Sequence, residues 1–172
     1  MTTIASSSAT SAKDGSLPLR DHGERGVCTF WLGDRHFGLD VALVGEVVTV
    51  DAIAKVPMSP DPLRGLFNLR GSPVALLDLG PVLGLPDATP TSSGAVTALV
   101  VRDDEMVVGF VIDRMEAVVP AGRGVLTEPT ADDHPAVRGF LELPGVAHAV
   151  TVLHPTVLLE RLEAVRFVKR DS

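Results

Sequence analysis

The pattern that most constrains this chain is a succession of short apolar runs, each ended by a cluster of turn-forming residues. From Val27 onwards, segments rich in Val, Leu and Phe alternate with clusters of Gly, Pro, Asn and Asp. Turn signals spaced by about 8 to 12 residues are typical of sandwiches and barrels. There is no spacing for repeated strand–helix–strand crossovers, so we predict a mainly all-β fold rather than a parallel sheet.

Three pairs of these runs surround a turn signal and predict β-hairpins. Their turns are Gly33-Asp34, the charged RDDE segment at 102–105, and Pro144-Gly145. A further tight corner at Gly71-Ser72 separates LFNLR from PVALLDL. Separate short strands are predicted for residues 47–50 and for MEAVVP.

Few helices are predicted. One short helix could begin ALVGEVVTV, and GPVLGLP fits a single turn. PTVLLERLEAVRFV has apolar residues at helical spacing and opens with Pro155, which suits a first turn. Three prolines exclude regular structure from residues 57–65, and 86–95 and 127–137 are predicted polar loops.

The composition limits the domain organisation. At 172 residues, one domain or two small subdomains sharing a core are expected. Residues 1–25 are rich in Ser, Thr and Ala without periodicity and predict a disordered N-terminal tail. The globular part is predicted over 26–165, followed by a C-terminal tail at 166–172. There is no secretory signal pattern and no membrane-spanning apolar run, so we expect a cytoplasmic protein without direct membrane insertion.

Charge and cysteine content exclude several classes of function. The formal net charge of −7 argues against nucleic-acid binding, which depends on clustered Lys and Arg meeting phosphates. The single cysteine, Cys28, permits neither an intramolecular disulfide nor a cysteine-rich metal site. It lies in an apolar run, and we expect it to be a small core residue.

Catalytic patterns are missing from the sequence. It contains no nucleophile elbow, no P-loop, no dinucleotide-binding glycine motif and no H-E-x-x-H. His148 and His154 could share one strand face, but a metal site there is a minor alternative. Asp103-Asp104 and Asp132-Asp133 fall in predicted turns, where carboxylates cap the backbone. We therefore predict a binding module without catalytic residues, metal or cofactor, rather than an enzyme.

Arg70 stands out because it interrupts apolar sequence at the corner GLFNLRG. Its five donors could satisfy backbone carbonyls at the tight turn, or they could pair with a carboxylate of a partner. The neighbouring Gly65 and Gly71 are expected to mark positive φ angles or close backbone approach.

GLFNLRG followed by SPVALLDL resembles the signature of the CheW family, the coupling proteins of bacterial chemosensory arrays. Four other segments resemble pieces of the same family in the same order. The resemblance covers about Val27 to Leu159, and these segments are FWLGDRHFGLDVALVGEV, KVPMSPDPLRG, VVGFVIDRMEAVV and VRGFLELPGVAHAVTVLHPTVLL.

The resemblance implies two small five-stranded barrels of the Src-homology 3 type, packed together. It also implies a non-enzymatic adaptor that bridges the cytoplasmic tip of a chemoreceptor to the regulatory domain of the histidine kinase CheA. By the same resemblance, the partner-binding positions are Val44, Glu46, Gly65 and Arg70. For Val44, ordinary core packing is an equally good interpretation.

Two other functions remain open at this point. The chain could be a CheW-like regulator of a non-chemotaxis pathway, such as motility or development. It could also be a small-molecule-binding β-barrel, which would need a deep polar pocket that the sequence does not suggest.

Overall fold

The computed structural model describes residues 26–59, 61–85, 94–103, 106–120 and 122–160. These residues form eleven strands, a 3₁₀ turn at Val41–Leu43 and two short helices. The strands are β1 (Gly26–Leu32), β2 (Arg35–Asp40), β3 (Val44–Val50), β4 (Leu63–Leu69), β5 (Ser72–Asp78), β6 (Val96–Asp103), β7 (Met106–Ile112), β8 (Arg114–Pro120), β9 (Val125–Thr127), β10 (Val137–Glu142) and β11 (Val150–Leu153), and the helices are α1 (Leu79–Val82) and α2 (Pro155–Glu160).

The strands form two sheets. One has six strands in the order β8-β1-β2-β11-β10-β9, and the other has five in the order β3-β6-β7-β5-β4. Most neighbours are antiparallel, but β11 runs parallel to β2 and β5 runs parallel to β7. Each sheet therefore combines hairpins with one parallel pairing between strands that are distant in sequence.

The five-stranded sheet curls until its two edges meet. After β3 ends, the chain crosses to the far edge, where Ala54 forms an isolated antiparallel bridge with Leu66 of β4. The N–H of Ala54 donates to the carbonyl of Leu66 at 2.8 Å, and the N–H of Leu66 donates to the carbonyl of Ala54 at 2.9 Å. This pair of hydrogen bonds closes the barrel, and we call it the seam.

Strand alternation sorts the apolar residues into three clusters. On β5, Val74 and Leu76 point into the five-stranded barrel, whereas Ala75 and Leu77 point to the largest cluster. That largest cluster includes residues of both sheets and α2, so it joins the two halves of the molecule. A small third cluster lies within the six-stranded sheet, around Val27, Leu141, Val150 and Val152.

These features confirm the predicted mainly-β fold of two packed sheet subdomains. The hairpins β1–β2 and β6–β7, the single turn at α1 and the buried position of Cys28 match the sequence predictions. The sheets contain six and five strands rather than five each, because β9, a strand of three residues that was not predicted, adds to β10.

Two predicted strand boundaries were wrong. β4 already begins at Leu63, inside the segment predicted to be irregular, because Pro62 lies before the strand and leaves its ladder intact. β11 begins only at Val150, so His148 precedes the strand and His154 follows it. The two histidines therefore do not share a strand face. The predicted tails, the loop over 86–93 and the end of the last helix lie outside the described residues.

Candidate functional site

The corner at Arg70 is a two-residue hairpin turn between β4 and β5. Arg70 has φ of 51° and Gly71 has φ of 90°, the left-handed pair that a type I′ turn requires. Such a conformation costs a non-glycine residue roughly 1 to 2 kcal/mol. The side chain of Asn68 offsets part of this cost, because its Oδ1 accepts the N–H of Gly71 at 2.7 Å.

The Arg70 guanidinium binds the carboxylate of Glu46 with two hydrogen bonds. Its Nη1 donates to Oε1 at 2.9 Å and its Nη2 donates to Oε2 at 2.7 Å. Arg102 adds a third bond, from Nη2 to Oε1 at 3.2 Å. We call these three residues the arginine–glutamate cluster. Among the described residues, the hydrogen bonds of the Arg70 side chain go to Glu46 rather than to the backbone carbonyls that were one of the two alternatives for this residue.

Two strands and a turn position this cluster. Glu46 lies on β3, Arg102 lies near the end of the neighbouring β6, and Arg70 reaches from the opposite edge of the sheet. Gly45 makes room for the second arginine, since a Cβ there would lie 2.8 Å from Arg102 Nε. The cluster therefore lies near the seam, where the sheet closes on itself.

The cluster is open to solvent on its arginine side. The side chain of Arg70 is 75% exposed and that of Arg102 is 45% exposed, whereas Glu46 is only 21% exposed. Two cations around one carboxylate leave an excess positive charge on a chain of net charge −7. Exposed ion pairs contribute about 0 to 1 kcal/mol to stability. The arrangement thus presents guanidinium donors at little structural cost.

The other two predicted site residues have different surroundings. Val44 begins β3, but a β-bulge between Val44 and Glu46 turns the two side chains to opposite faces of the sheet, and Val44 is half-buried against the largest apolar cluster. Gly65 is buried on β4 with φ of 150°, and a Cβ there would lie 2.5 Å from the carbonyl oxygen of Ala54. Of the four predicted site residues, Glu46 and Arg70 are in contact with each other, and Gly65 supports the seam.

A second surface was not predicted from the sequence. Among the described strands, β8 is an edge strand that pairs with β1 alone, and six of its seven residues are exposed. Met115 and Val118 are 40% and 49% exposed. We call the run Arg114–Pro120 the β8 strip. MEAVVP indicated a strand, but its place at a sheet edge depends on topology that a local pattern does not encode.

Among the described residues, buried titratable groups are few. Asp78 ends β5 with its Oδ2 accepting from Arg64 Nε at 3.1 Å. Burial raises the pKa of Asp78, and the Arg64 guanidinium partly opposes this change. Burial also raises the pKa of the Cys28 thiol. In the described ranges, no three His, Cys, Asp or Glu side chains come close enough to hold a metal ion.

The turn, the cluster and the two-sheet fold can be compared with known proteins. The CheW-like domain family matches this chain over residues 26–163. The chain belongs to the CheW-like domain family. This match includes all the segments on which the sequence resemblance was based, so the predicted family is confirmed.

Individual CheW proteins show the same relationship. The probable chemotaxis protein CheW of Rhizobium etli is 26% identical over 145 residues, which cover 84% of this chain and 89% of that protein. The chemotaxis protein CheW of Treponema pallidum is 30% identical over 105 residues, covering 59% of this chain and 61% of that one. The crystal structure of scaffolding protein TtCheW from Thermoanaerobacter tengcongensis has a TM-score of 0.67 at 22% identity, over 81% of this chain and 94% of that chain, and shares the fold.

Membership confirms the predicted class of function, a chemotaxis-type signal-transduction adaptor coupling chemoreceptors to CheA. The CheW family consists of non-enzymatic scaffolds. The alternatives of a non-chemotaxis regulator and a small-molecule-binding barrel are not favoured. Neither helix among the described residues has the length and apolar character needed to cross a membrane. The partner-binding roles of Val44, Glu46, Gly65 and Arg70 stay predictions.

Proposed function

We propose that this CheW-like protein binds the regulatory domain of CheA and the cytoplasmic tip of a chemoreceptor through two surfaces, the arginine–glutamate cluster and the β8 strip. Binding at a receptor's cytoplasmic tip implies a cytoplasmic location. The observation that carries the proposal is the exposed Arg70 guanidinium, held on a two-residue turn and oriented by Glu46.

The cluster suits a partner that carries a carboxylate. A guanidinium presents five donors in a planar fork, and the two described bonds to Glu46 leave others free. The turn fixes the backbone of Arg70, so less conformational entropy is lost when a partner binds. Glu46 also keeps Arg70 and Arg102 close together, which gives an incoming carboxylate two donors at one point.

The β8 strip suits an apolar partner surface with a polar rim. Met115 and Val118 supply apolar area, while Arg114 and Glu116 supply charges beside it. Interfaces typically combine an apolar centre with polar surroundings. The strip and the cluster lie on different sheets, so two partners could be held together without competing.

The remaining predicted residues have supporting roles in this proposal. Val44 packs beneath the β3 end of the cluster and fixes the strand that carries Glu46. Gly65 allows the close approach of Ala54 that forms the seam. Substitution at either position would disturb partner binding by displacing Glu46 or Arg70.

Isothermal titration calorimetry of the full chain with each partner fragment tests the proposal. Arg70→Lys keeps the charge but loses the fork, and Arg123→Lys is the matched control in an exposed turn. Val118→Ser reduces the apolar strip, and Val125→Ser is its control at the opposite edge of the same sheet. Each test variant should weaken binding of one partner about tenfold, or about 1.4 kcal/mol, with the controls unchanged.

Two outcomes would contradict the proposal. If the unmodified chain binds neither fragment at high micromolar concentration, the adaptor function assigned to these partners is wrong. If it binds both, but Arg70→Lys and Val118→Ser bind as tightly as their controls, the function stands and the two surfaces are wrong.

A further inference from the structure

The six-stranded sheet contains a group of aromatic and charged side chains of which the proposed surfaces use only Arg114 and Glu116. Arg114, Trp31 and His36 occupy adjacent register positions on β8, β1 and β2. The indole of Trp31 stacks on the imidazole of His36 with a centroid distance of 4.4 Å and an interplanar angle of 4°. The Arg114 guanidinium lies over the indole, 4.9 Å from the ring centroid. We call this row the tryptophan ladder.

Further contacts tie the ladder to neighbouring elements. Trp31 Nε1 donates to Glu116 Oε2 at 2.9 Å, which adds a side-chain link between β1 and β8. His148, in the segment between β10 and β11, meets the indole edge at a centroid distance of 6.2 Å. Arg114 and Glu116 are also paired, at 3.8 Å. Trp31 is thus the central side chain of a group drawn from β1, β2, β8 and this connecting segment.

His36 differs from the other members because its polar atoms have no partners. The residue is only 8% exposed, and both ring nitrogens are buried without a hydrogen bond. A neutral imidazole has one N–H donor, whereas the protonated ring has two and carries a charge. Burying that charge without acceptors is costly. The stacked arrangement therefore fits the neutral ring only.

The charges that face His36 act in both directions. Burial lowers the pKa of His36, the Glu116 carboxylate raises it, and His148 and Arg114 lower it further. The indole already faces one cation, Arg114, so a second cation stacked on the same ring would also be repelled by the first. Proton uptake by His36 is thus disfavoured while the ring stays in the stack.

We propose that the Trp31–His36 stack is a proton-sensitive tie between β2 and β8, which is intact when His36 is neutral and is released when His36 is protonated. When the stack is released, Trp31 loses its ring contact with His36 of β2. Trp31 also donates a hydrogen bond to Glu116 of β8, so this change is passed to β8. β8 pairs with no strand other than β1 among those described, so loss of this tie loosens the edge strand that carries the β8 strip.

Intrinsic fluorescence reports the tie directly because Trp31 is the only tryptophan in the chain. The full chain is titrated from pH 8 to acid, and circular dichroism at each pH verifies that it stays folded. We expect a single sigmoidal change of Trp31 emission with a midpoint below the ordinary histidine value of about 6.5. Unchanged emission across the folded range would overturn the proposal.

Three variants identify the titrating group. His36→Phe keeps an aromatic stack without a titratable nitrogen and should abolish the transition. His148→Asn should retain it with a raised midpoint, and Glu116→Gln should retain it with a lowered midpoint. A transition that persists in His36→Phe, or disappears in His148→Asn or Glu116→Gln, would assign the signal to another group and overturn the proposal.

Two measurements keep the test decisive if His36→Phe folds poorly. The ring Cε1–H resonance of His36 in the unmodified chain gives its pKa by nuclear magnetic resonance, and a value at or above about 6.5 would overturn the proposal. Amide hydrogen exchange of residues 114–120 is compared at one acid pH between the unmodified chain and His148→Asn. Exchange should be faster in whichever protein has the larger fraction of protonated His36 at that pH. His148→Asn, which raises the midpoint, should therefore exchange faster, and equal rates would contradict the loosening of β8.

Discussion

The two sheets of this protein have related architectures but very different interiors. The five-stranded barrel encloses an entirely apolar cluster that includes Phe67 and Leu76, whereas the apolar cluster of the six-stranded sheet is half that size. Of the buried polar or charged residues in the described part of the chain, Thr29, His36 and Asp40 lie on β1 and β2, and Asp78 ends β5. The apolar interior of the five-stranded barrel supports the turn that carries Arg70. The six-stranded sheet instead buries a titratable side chain, His36, on the β1–β2 pair.

Matched leucine truncations should give the largest difference between the two interiors. Leu76 lies in the five-stranded barrel with 0% exposure, and Leu141 lies in the small cluster with 4% exposure. Leu76→Ala should lower the free energy of unfolding by about 3 to 5 kcal/mol and Leu141→Ala by about 2 to 3 kcal/mol. Urea unfolding of both variants measures the difference. Equal losses would mean that the two interiors are equally well packed.

Gly65 and Gly139 each lie where a neighbouring segment passes very close to the strand, so substituting them tests how well each sheet tolerates an added side chain. A Cβ at Gly65 would lie 2.5 Å from the Ala54 carbonyl oxygen, and one at Gly139 would lie 2.6 Å from that of Thr127. Gly65 also has positive φ, whereas Gly139 contacts a strand of only three residues that can shift. We expect Gly65→Ala to cost roughly 2 to 4 kcal/mol and Gly139→Ala roughly 1 to 2 kcal/mol. Thermal unfolding decides, and a larger loss for Gly139→Ala would contradict this comparison.

Removing one carboxylate charge in each sheet should change the free energy of unfolding less than the leucine and glycine substitutions do. Glu46 accepts three hydrogen bonds from two arginines, whereas Glu116 accepts one from Trp31, which an amide oxygen can replace. Glu46→Gln should lower the free energy of unfolding by about 0.5 to 1 kcal/mol, and Glu116→Gln by less than about 0.5 kcal/mol. Repeating the measurement in 1 M salt should reduce the first value. A loss that is independent of salt would mean that packing, not charge, stabilises the cluster.

The smallest expected effects are opposite pH dependences in the two halves. The lowered pKa of His36 means that its contribution to stability is complete above about pH 6.5 and is lost as the pH falls. The raised pKa of Asp78 means that its contribution is complete below about pH 3.9 and declines as the pH rises through the raised value. The free energy of unfolding is measured against pH for His36→Phe and Asp78→Asn.

Each variant should remove one of these slopes. His36→Phe should be less sensitive to acid than the unmodified chain, and Asp78→Asn should lose the decline above about pH 3.9. Slopes that remain in both variants would assign the pH dependence to other groups.

The sequence predicted the fold well because local patterns determine most of it. Alternating apolar residues and the Gly33-Asp34 signal are sufficient to indicate β1 and β2, and the apolar runs on both sides of Gly71 indicate β4 and β5. β9 was missed because three residues carry too little pattern. The late start of β11 was missed because VAHA is apolar enough to continue a strand, yet Pro144-Gly145 is followed by a longer connection.

The candidate site was only partly predictable for a different reason. The motif around Arg70 identified the right corner, but its contact with Glu46 joins residues 24 positions apart at opposite edges of a curled sheet. The β8 strip depends on which strand ends the sheet, and the tryptophan ladder depends on the register of three strands. None of these relations has a signal within one local segment.

The seam has a consequence for how the adaptor would respond to a partner. β4 is joined to the segment that follows β3 by the Ala54–Leu66 backbone bonds and, at the hairpin tip, to β3 itself by the exchangeable Arg70–Glu46 pair. A foreign carboxylate that captured Arg70 would therefore detach one of these two links. Partner binding and barrel closure would then oppose each other thermodynamically: binding at Arg70 would weaken closure, and closure would weaken binding. Binding at Arg70 would therefore change the stability of the whole strand β3.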